Sequence, residues 1–168
     1  MSLLADEDIL LDNMDWMTTY MSKFNIKYIC MNDHSLLGEP LSSTEPLIEH
    51  GLVMFDDKKL VSFVDGFCTN SKDLSDEMYA NASLHNEQGK WQMIFGVNTI
   101  PTYRKQGLAG ELIKRAIFDA KAQGRLGLVL TCKEKLIHYY SKFGFVNEGL
   151  SKSTHGNVEW YQMRLTFK

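Results

Sequence analysis

The residue types that could do chemistry in this chain concentrate in one stretch, IPTYRKQGLAGEL, at positions 100–112. An apolar run, Trp91–Thr99, precedes it, and an amphipathic run, Gly107–Ala122, follows it. A strand that empties through a glycine-bearing loop into a helix exposes the first backbone N–H groups of that helix. Those groups have no internal partner and lie at the positive end of the macrodipole, so they form a ready site for an anion. Gly107, Ala109 and Gly110 leave little bulk between a phosphate and the main chain, and Arg104 and Lys105 add positive charge beside it. The loop is not a Walker loop, because the Gly-Lys-Ser/Thr ending is absent, and its glycine spacing does not fit the dinucleotide fingerprint. Taken alone, Arg104-x-x-Gly107-x-Ala109 reads equally as an ordinary strand-to-helix turn.

The elements that must position this loop follow from periodicity and punctuation. Residues 6–22 begin with acids and carry Ile9, Met14, Trp16, Met17 and Tyr20 at helical spacing, which predicts a helix. Ile26–Met31 fits either a strand or a continued helix. Ser43–His50 opens with capping residues and has Pro46 early, which predicts a short helix. Gly51–Phe55, the polar turn DDKK and Leu60–Cys68 predict a hairpin. Ser71–Gln88 is polar and acidic, a loop with a helical turn around Leu74–Met78, and Trp91–Thr99 is the third strand. Gly107–Ala122 places Leu108, Leu112, Ile113, Ala116, Ile117 and Ala120 on one helical face and stops at Gln123-Gly124. Leu126–Cys132 reads as a strand buried on both faces. Glu134–Lys142 is a short helix, and Phe145–Glu148 with Val158–Phe167 closes as an antiparallel pair. The expectation is a single α/β domain over residues 1–168, a mixed central sheet flanked by helices.

Composition removes several function classes. The net charge of −3, without a cluster of Lys or Arg, argues against nucleic acid as a partner. No apolar run reaches the roughly 18–20 residues needed to cross a bilayer, so no membrane partner is expected. Met1–Leu11 carries acidic residues and no basic one, unlike a secretory signal or transit peptide. Cys30, Cys68 and Cys132 are odd in number and widely spaced, which argues against disulfides or a zinc site and suits a cytoplasmic location. Each reads as a small core hydrophobe, and no metal is expected.

Two stretches carry a family resemblance. YRKQGLAGELIKRAI resembles the acyl-CoA-binding motif of GNAT acetyltransferases, Gln/Arg-x-x-Gly-x-Gly/Ala, with Arg104, Gly107 and Ala109 in the key positions. YYSKFGF resembles that family's Tyr-x-x-x-Gly-Phe signature at Tyr140, Gly144 and Phe145. LTCKEKLIHYYSKFGF, the polar insertion before Trp91 and Glu39-Pro40-Leu41 are similar to the arylalkylamine N-acetyltransferase branch; the match runs from about Pro40 to the C-terminus. The resemblance implies acetyl-CoA as co-substrate. It implies that Val97, Asn98 and Thr99 pair with the acyl and pantetheine portion, as a peptide-like chain added to a strand edge, and that a backbone N–H there steadies the oxyanion. Lys105, Gln106, Gly107, Leu108, Ala109 and Gly110 would hold the pyrophosphate, with Arg104 beside them. Tyr140 matches the acid that protonates the departing thiolate, while Tyr139 is expected to face the core.

The acceptor side is less determined. An amine attacks only when neutral, and an alkylamine near pKa 10 arrives protonated. Vertebrate members of the branch place two histidines on the central strand for this purpose; here Met93 and Phe95 stand at those positions. The remaining candidates for a base are Glu87 and His85 in the polar insertion, then His138 and His50, each of them equally readable as a surface residue. Phe55, Phe63, Phe67, Trp91 and Phe95 line an apolar acceptor pocket or belong to the core. The expected acceptor is a small-molecule primary amine, an arylalkylamine first. A polyamine held by Asp73, Asp76 and Glu77, an amino sugar and a protein N-terminus stay open, as does a homodimer. The competing class is an acyl-CoA-sensing module of the same fold without catalysis.

Overall fold

The computed structural model describes residues 25–30 and 50–168. The helix expected over 6–22, and all of the one expected over Ser43–His50 except its last residue, lie outside the described residues. His50 itself opens a strand.

Among the described residues, seven strands form one sheet: β1 (Asn25–Cys30), β2 (His50–Asp56), β3 (Lys59–Thr69), β4 (Trp91–Thr99), β5 (Gly127–Cys132), β6 (Val146–Leu150) and β7 (Tyr161–Thr166). Their spatial order is β1-β2-β3-β4-β5-β7-β6. Of these pairs only β4 and β5 run parallel, and the helix α2 (Leu108–Ala122) makes the crossover between them. Two shorter helices, α1 (Asp76–Ala80) and α3 (Ile137–Ser141), complete the described architecture. The sheet is mixed because hairpin pairs flank one crossover. Of the segment open between strand and helix, 26–31, residues 26–30 belong to strand β1, at the end of the described sheet, and Met31 lies outside the described residues.

The amphipathic reading of α2 holds in space. Leu108, Leu112, Ile113, Ile117 and Ala120 are each at most 3% exposed and pack on Leu52, Met54, Val64, Ile94, Leu128 and Leu130 of the sheet. Burying each such leucine or isoleucine contributes about 1.5–3 kcal/mol. The opposite face gathers Phe67, Trp91, Met93 and Val129 with Leu74 and Met78, which flank and enter α1. Covered on both sides, β5 takes apolar residues at nearly every position. Leu126, expected inside that strand, lies just before it and is 49% exposed. The helix expected over Glu134–Lys142 divides into a 3-10 turn, Glu134–Leu136, and α3.

A fork and a clamp shape the two ends of the sheet. At the fork, β4 pairs with β5 only over Trp91–Ile94, so Phe95–Thr99 leave that neighbour and keep β3 alone. The departure coincides with a bulge: Gly66 faces Ile94 and Asp65 faces Gly96, which leaves Phe95 as the extra residue. A bulge bends its strand and increases its twist, which turns the rest of β4 away and opens the gap. The clamp is built on Arg164. Its guanidinium donates to Glu148, Asp73 and the Lys72 carbonyl while lying 4.8 Å from the Trp91 ring. It ties the polar insertion to β6 and β7, and it holds the Glu148 carboxyl below the usual carboxylate range.

Candidate active site

The fork between β4 and β5, the N-terminus of α2 and the helix α3 enclose one cleft of about 400 Å³. The loop into α2 forms because its backbone turns left twice, at Lys105 (φ 61°) and at Gly107 (φ 79°). A Cβ at Gly107 would meet nothing within 4 Å, so the backbone angle rather than space calls for glycine there. Gly107 caps the helix, and its carbonyl accepts from the Glu111 N–H at 3.1 Å. The N–H groups of Leu108, Ala109 and Gly110 have no backbone partner among the described residues, and all three residues line the cleft. At Gly110 space matters: a Cβ would stand 3.2 Å from the Phe143 ring and 3.8 Å from the Tyr139 hydroxyl. A small residue there lets the Tyr139–Phe143 segment close against the helix start.

Two side chains fix the loop. Arg104 Nε donates to the Thr99 carbonyl at 3.0 Å, and the Tyr103 hydroxyl donates to Asp56 Oδ2 at 2.7 Å. The loop therefore hangs between the end of β4 and the β2–β3 hairpin. Of the positions singled out from sequence, Val97, Asn98, Thr99, Arg104, Lys105, Gly107, Leu108, Ala109, Gly110 and Tyr140 all border the cleft. Gln106 does not; it is exposed on the outside of the turn. Tyr103, Leu136 and Tyr139 border it without having been singled out as ligands.

Tyr140 is 7% exposed, and burial, with Tyr139 and Cys132 beside it, pushes its hydroxyl well above the ordinary 10 of a phenol. It stays protonated across the whole working range. Tyr139 does not face the core alone, as the sequence suggested. Its ring is half-buried, 5.1 Å from that of Tyr140 and edge-on to it, and it forms part of the cleft wall. The ring also packs edge-on to that of Phe143, 5.3 Å away, at the border of the core. Cys68 and Cys132 are buried free thiols whose pKa burial raises to about 11, consistent with packing rather than reactivity.

On the sheet face away from α2, the residues singled out as bases are engaged elsewhere. Met93 is fully buried against Phe67, Trp91 and Val129. Phe95, the bulged residue, lies 4.8 Å from Phe67 and 4.7 Å from Tyr79, ring to ring, and Tyr79 reaches Thr131 on β5 at 3.4 Å. His85 Nδ1 accepts from the Cys68 N–H at 3.2 Å, which leaves the proton on Nε2, donated to Glu87 at 3.1 Å. That pair fastens the insertion to β3. His138 is exposed on α3. Asp73 is held by Arg164, Asp76 accepts from Ser153 and Thr154, and Glu77 is exposed and bonded to Asn81, so each of these carboxylates already has a partner. Phe55 and Phe63 form a separate cluster with Val53 and Leu60. Among the described residues no group of three His, Cys, Asp or Glu could hold a metal ion, and no helix is long and apolar enough to cross a membrane.

One side chain at the fork was not anticipated. Asp65 lies across from Gly96, with its carboxyl in the space that a Cβ on Gly96 would occupy. Burial pushes its pKa up to about 6, while the N–H groups of Asp65 and Gly96 pull it down. The sequence did contain a signal, an aspartate inside the apolar strand LVSFVDGFC, where such residues are depleted.

Comparison with known proteins agrees with this architecture. The family model described as "Acetyltransferase (GNAT) family" matches residues 15–145. The serotonin N-acetyltransferase of Mesocricetus auratus is 26% identical over 121 residues, 71% of this chain and 57% of that protein. The chain thus spans little more than half of that curated relative's length. A GNAT family acetyltransferase from Elizabethkingia anophelis, solved with acetyl-CoA bound, superposes with a TM-score of 0.59 at 12% identity, covering 86% of this chain and 99% of that one. Arabidopsis thaliana Naa50, solved with the bisubstrate analogue CoA-Ac-MVNAL, superposes with a TM-score of 0.61 at 13% identity, covering 86% and 99%. At these identities the superpositions establish the fold.

Proposed function

We propose, since the chain belongs to the GNAT family of acetyltransferases, that it transfers an acetyl group from acetyl-CoA to the primary amine of a small molecule, with Tyr140 as general acid. The observation that carries this reading is the cleft itself. It joins the free amides of Leu108, Ala109 and Gly110 to the buried Tyr140 across the opened edge of β4. Those are the two ends of one elongated ligand, phosphates at one and a thioester at the other. The similarity to the serotonin N-acetyltransferase of Mesocricetus auratus supports an arylalkylamine as the acceptor class.

The described residues fit acetyl-CoA. Gly107 leaves open space in front of the helix N-terminus, where the amides of Leu108–Gly110 and the partial charge of the dipole hold a pyrophosphate. Lys105 and Arg104 border the same end and add charge. The edge of β4 at Val97–Thr99, released by β5, presents main-chain donors and acceptors for a peptide-like arm. When bound, acetyl-CoA supplies an activated acetyl thioester. A main-chain N–H of this edge stabilises charge on the carbonyl oxygen as the amine attacks. Tyr140 gives its proton to the departing sulfur. The burial that raises its pKa acts in the same direction on a thiolate in the same cleft, which favours the proton passing to sulfur.

A non-catalytic acyl-CoA sensor is favoured by one observation, Met93 and Phe95 in place of histidines. A panel of amines read by release of the CoA thiol separates the two. The reading expects release that depends on both an amine and acetyl-CoA, greatest with an aryl-ethylamine. Tight acetyl-CoA binding with no amine-dependent release from any panel member would leave the sensor.

A further inference from the structure

On β3 an aspartate occupies a position where the sheet pattern asks for an apolar side chain. Asp65 lies between Phe63 and Phe67, all three on the face turned away from α2. Across from it is Gly96, the residue after the bulge and the one before Val97 at the cleft. Any Cβ on Gly96 would collide with Asp65 Oδ1, and the Phe63 ring stands 3.6 Å from the same point. The glycine is therefore what makes room for the carboxyl at the fork.

One oxygen of this carboxyl is unmatched: Oδ1 is buried without a hydrogen-bond partner among the described residues. Burial is the largest influence on the group, and the main-chain N–H groups of Asp65 and Gly96 act against it. An ionised carboxylate in that condition is costly to keep, and a fold retains one where a ligand brings the opposite charge. The walls specify the ligand further: Phe63 and Phe67 flank the carboxyl, and Phe95 continues the aromatic surface to Tyr79. An ammonium gains from the carboxylate and from ring faces together.

We infer that Asp65 receives the protonated primary amine of the acceptor, carried on an aromatic or apolar body, and takes its proton at the fork. This deepens the acetyl-transfer reading and rests on it. The ammonium N–H bond breaks and its proton passes to the Asp65 carboxylate, leaving a lone pair on nitrogen. The C–N bond forms, the C–S bond breaks with its electron pair on sulfur, and Tyr140 protonates that sulfur. The second nitrogen proton returns the Tyr140 phenolate to phenol, and Asp65 releases its proton to water. The products are the acetamide, the CoA thiol and one proton. A carboxylate raised to about 6 is a stronger base than an exposed one and is still ionised at neutral pH.

The other charged or titratable groups around this region among the described residues are Tyr79 and Asp76 on α1, His155 stacked on Tyr79, His85 beside Phe67 with its partner Glu87, and Arg125, which lines a small cavity together with Asp65, Cys68, His85 and Glu87. The test uses the full chain saturated with acetyl-CoA, tryptamine as the amine, and Asp65→Asn beside His85→Gln. Wild type should show kcat/KM rising with pH through an acid limb near 6. Asp65→Asn should lose that limb and roughly 10²–10⁴-fold in kcat/KM, with unchanged acetyl-CoA affinity, while His85→Gln keeps the limb. Full turnover with the limb intact in Asp65→Asn overturns the inference, as does a limb that disappears only in His85→Gln. Calorimetry on the CoA complex separates this inference from the reading beneath it. A preference for tryptamine over its uncharged counterpart, indole-3-ethanol, that Asp65→Asn abolishes upholds Asp65 even if no amine is acetylated. Equal binding of the two probes, or none of either, overturns it.

Discussion

Asp65→Asn should make the protein more stable at neutral pH, by an amount fixed by the carboxyl's surroundings. In the unfolded chain this group titrates at the ordinary 3.8, and in the folded one at about 6. Between those values the folded state binds the extra proton, so the stability linked to this group is fully present below about 3.8 and is lost as pH rises through about 6. Above 6 the wild type carries the whole cost of a buried charge. At 1.36 kcal/mol for each tenfold change in proton affinity, the gap amounts to at most about 3 kcal/mol. An asparagine amide has nearly the shape of the protonated acid and cannot ionise. The difference between variant and wild type should therefore be near zero around pH 4 and grow to about 3 kcal/mol by pH 7.5, or about 6–12 °C in Tm for a chain of this size. Urea unfolding of both proteins at the two pH values, with m compared, measures it; every other titrating group cancels in the difference. A variant that is less stable at pH 7.5, or a difference independent of pH, would refute the claim that this carboxyl is buried and unpaired. Stability gained where turnover is lost marks a charge kept for function.

Gly107→Pro forces a negative φ on a residue held at +79°; calorimetry should find acetyl-CoA binding lost while circular dichroism shows the helices intact. Tyr140→Phe should lower kcat by roughly 10²–10⁴-fold with little change in acetyl-CoA affinity, and full turnover would remove it as the acid. Arg164→Met leaves Glu148 and Asp73 without their shared cation and, because both carboxylates keep access to solvent, should cost about 1 kcal/mol in denaturant unfolding, with the loss shrinking as acid protonates Glu148, whose pKa this arginine lowers.

The elements were legible in the sequence where packing simply repeats local pattern. Trp91–Thr99 and the hairpin alternate because one face meets α2 and the other meets α1, and the apolar stripe of Leu108–Ala122 is the stripe that is buried. The turn into α2 was legible because its left-handed backbone at Gly107 is written in glycine. The surroundings of Asp65 were not, because they depend on how strands pair. The bulge at Phe95 and the placement of Asp65 over Gly96 arise from register between residues some thirty positions apart, which no local pattern records. Histidines are likewise ambiguous from sequence alone: His85 is bonded to Cys68 and Glu87, whereas a buried carboxyl oxygen without a partner among the described residues lies on β3. Tyr139 shows the same limit, since it and its neighbour Tyr140 both border the cleft while packing on the core, which their adjacent positions on a short helix do not record.

The central claim is that this cleft moves an acetyl group from sulfur to an amine nitrogen. Acetyl-CoA labelled with heavy isotope in the acetyl group, incubated with tryptamine and the full chain, tests it by mass spectrometry of the amine. Label should appear bound through the amide nitrogen, with one CoA thiol released for each label transferred and both reduced together in Tyr140→Phe. Thiol released with the label appearing as free acetate, or no transfer from a complex that binds acetyl-CoA, would contradict it.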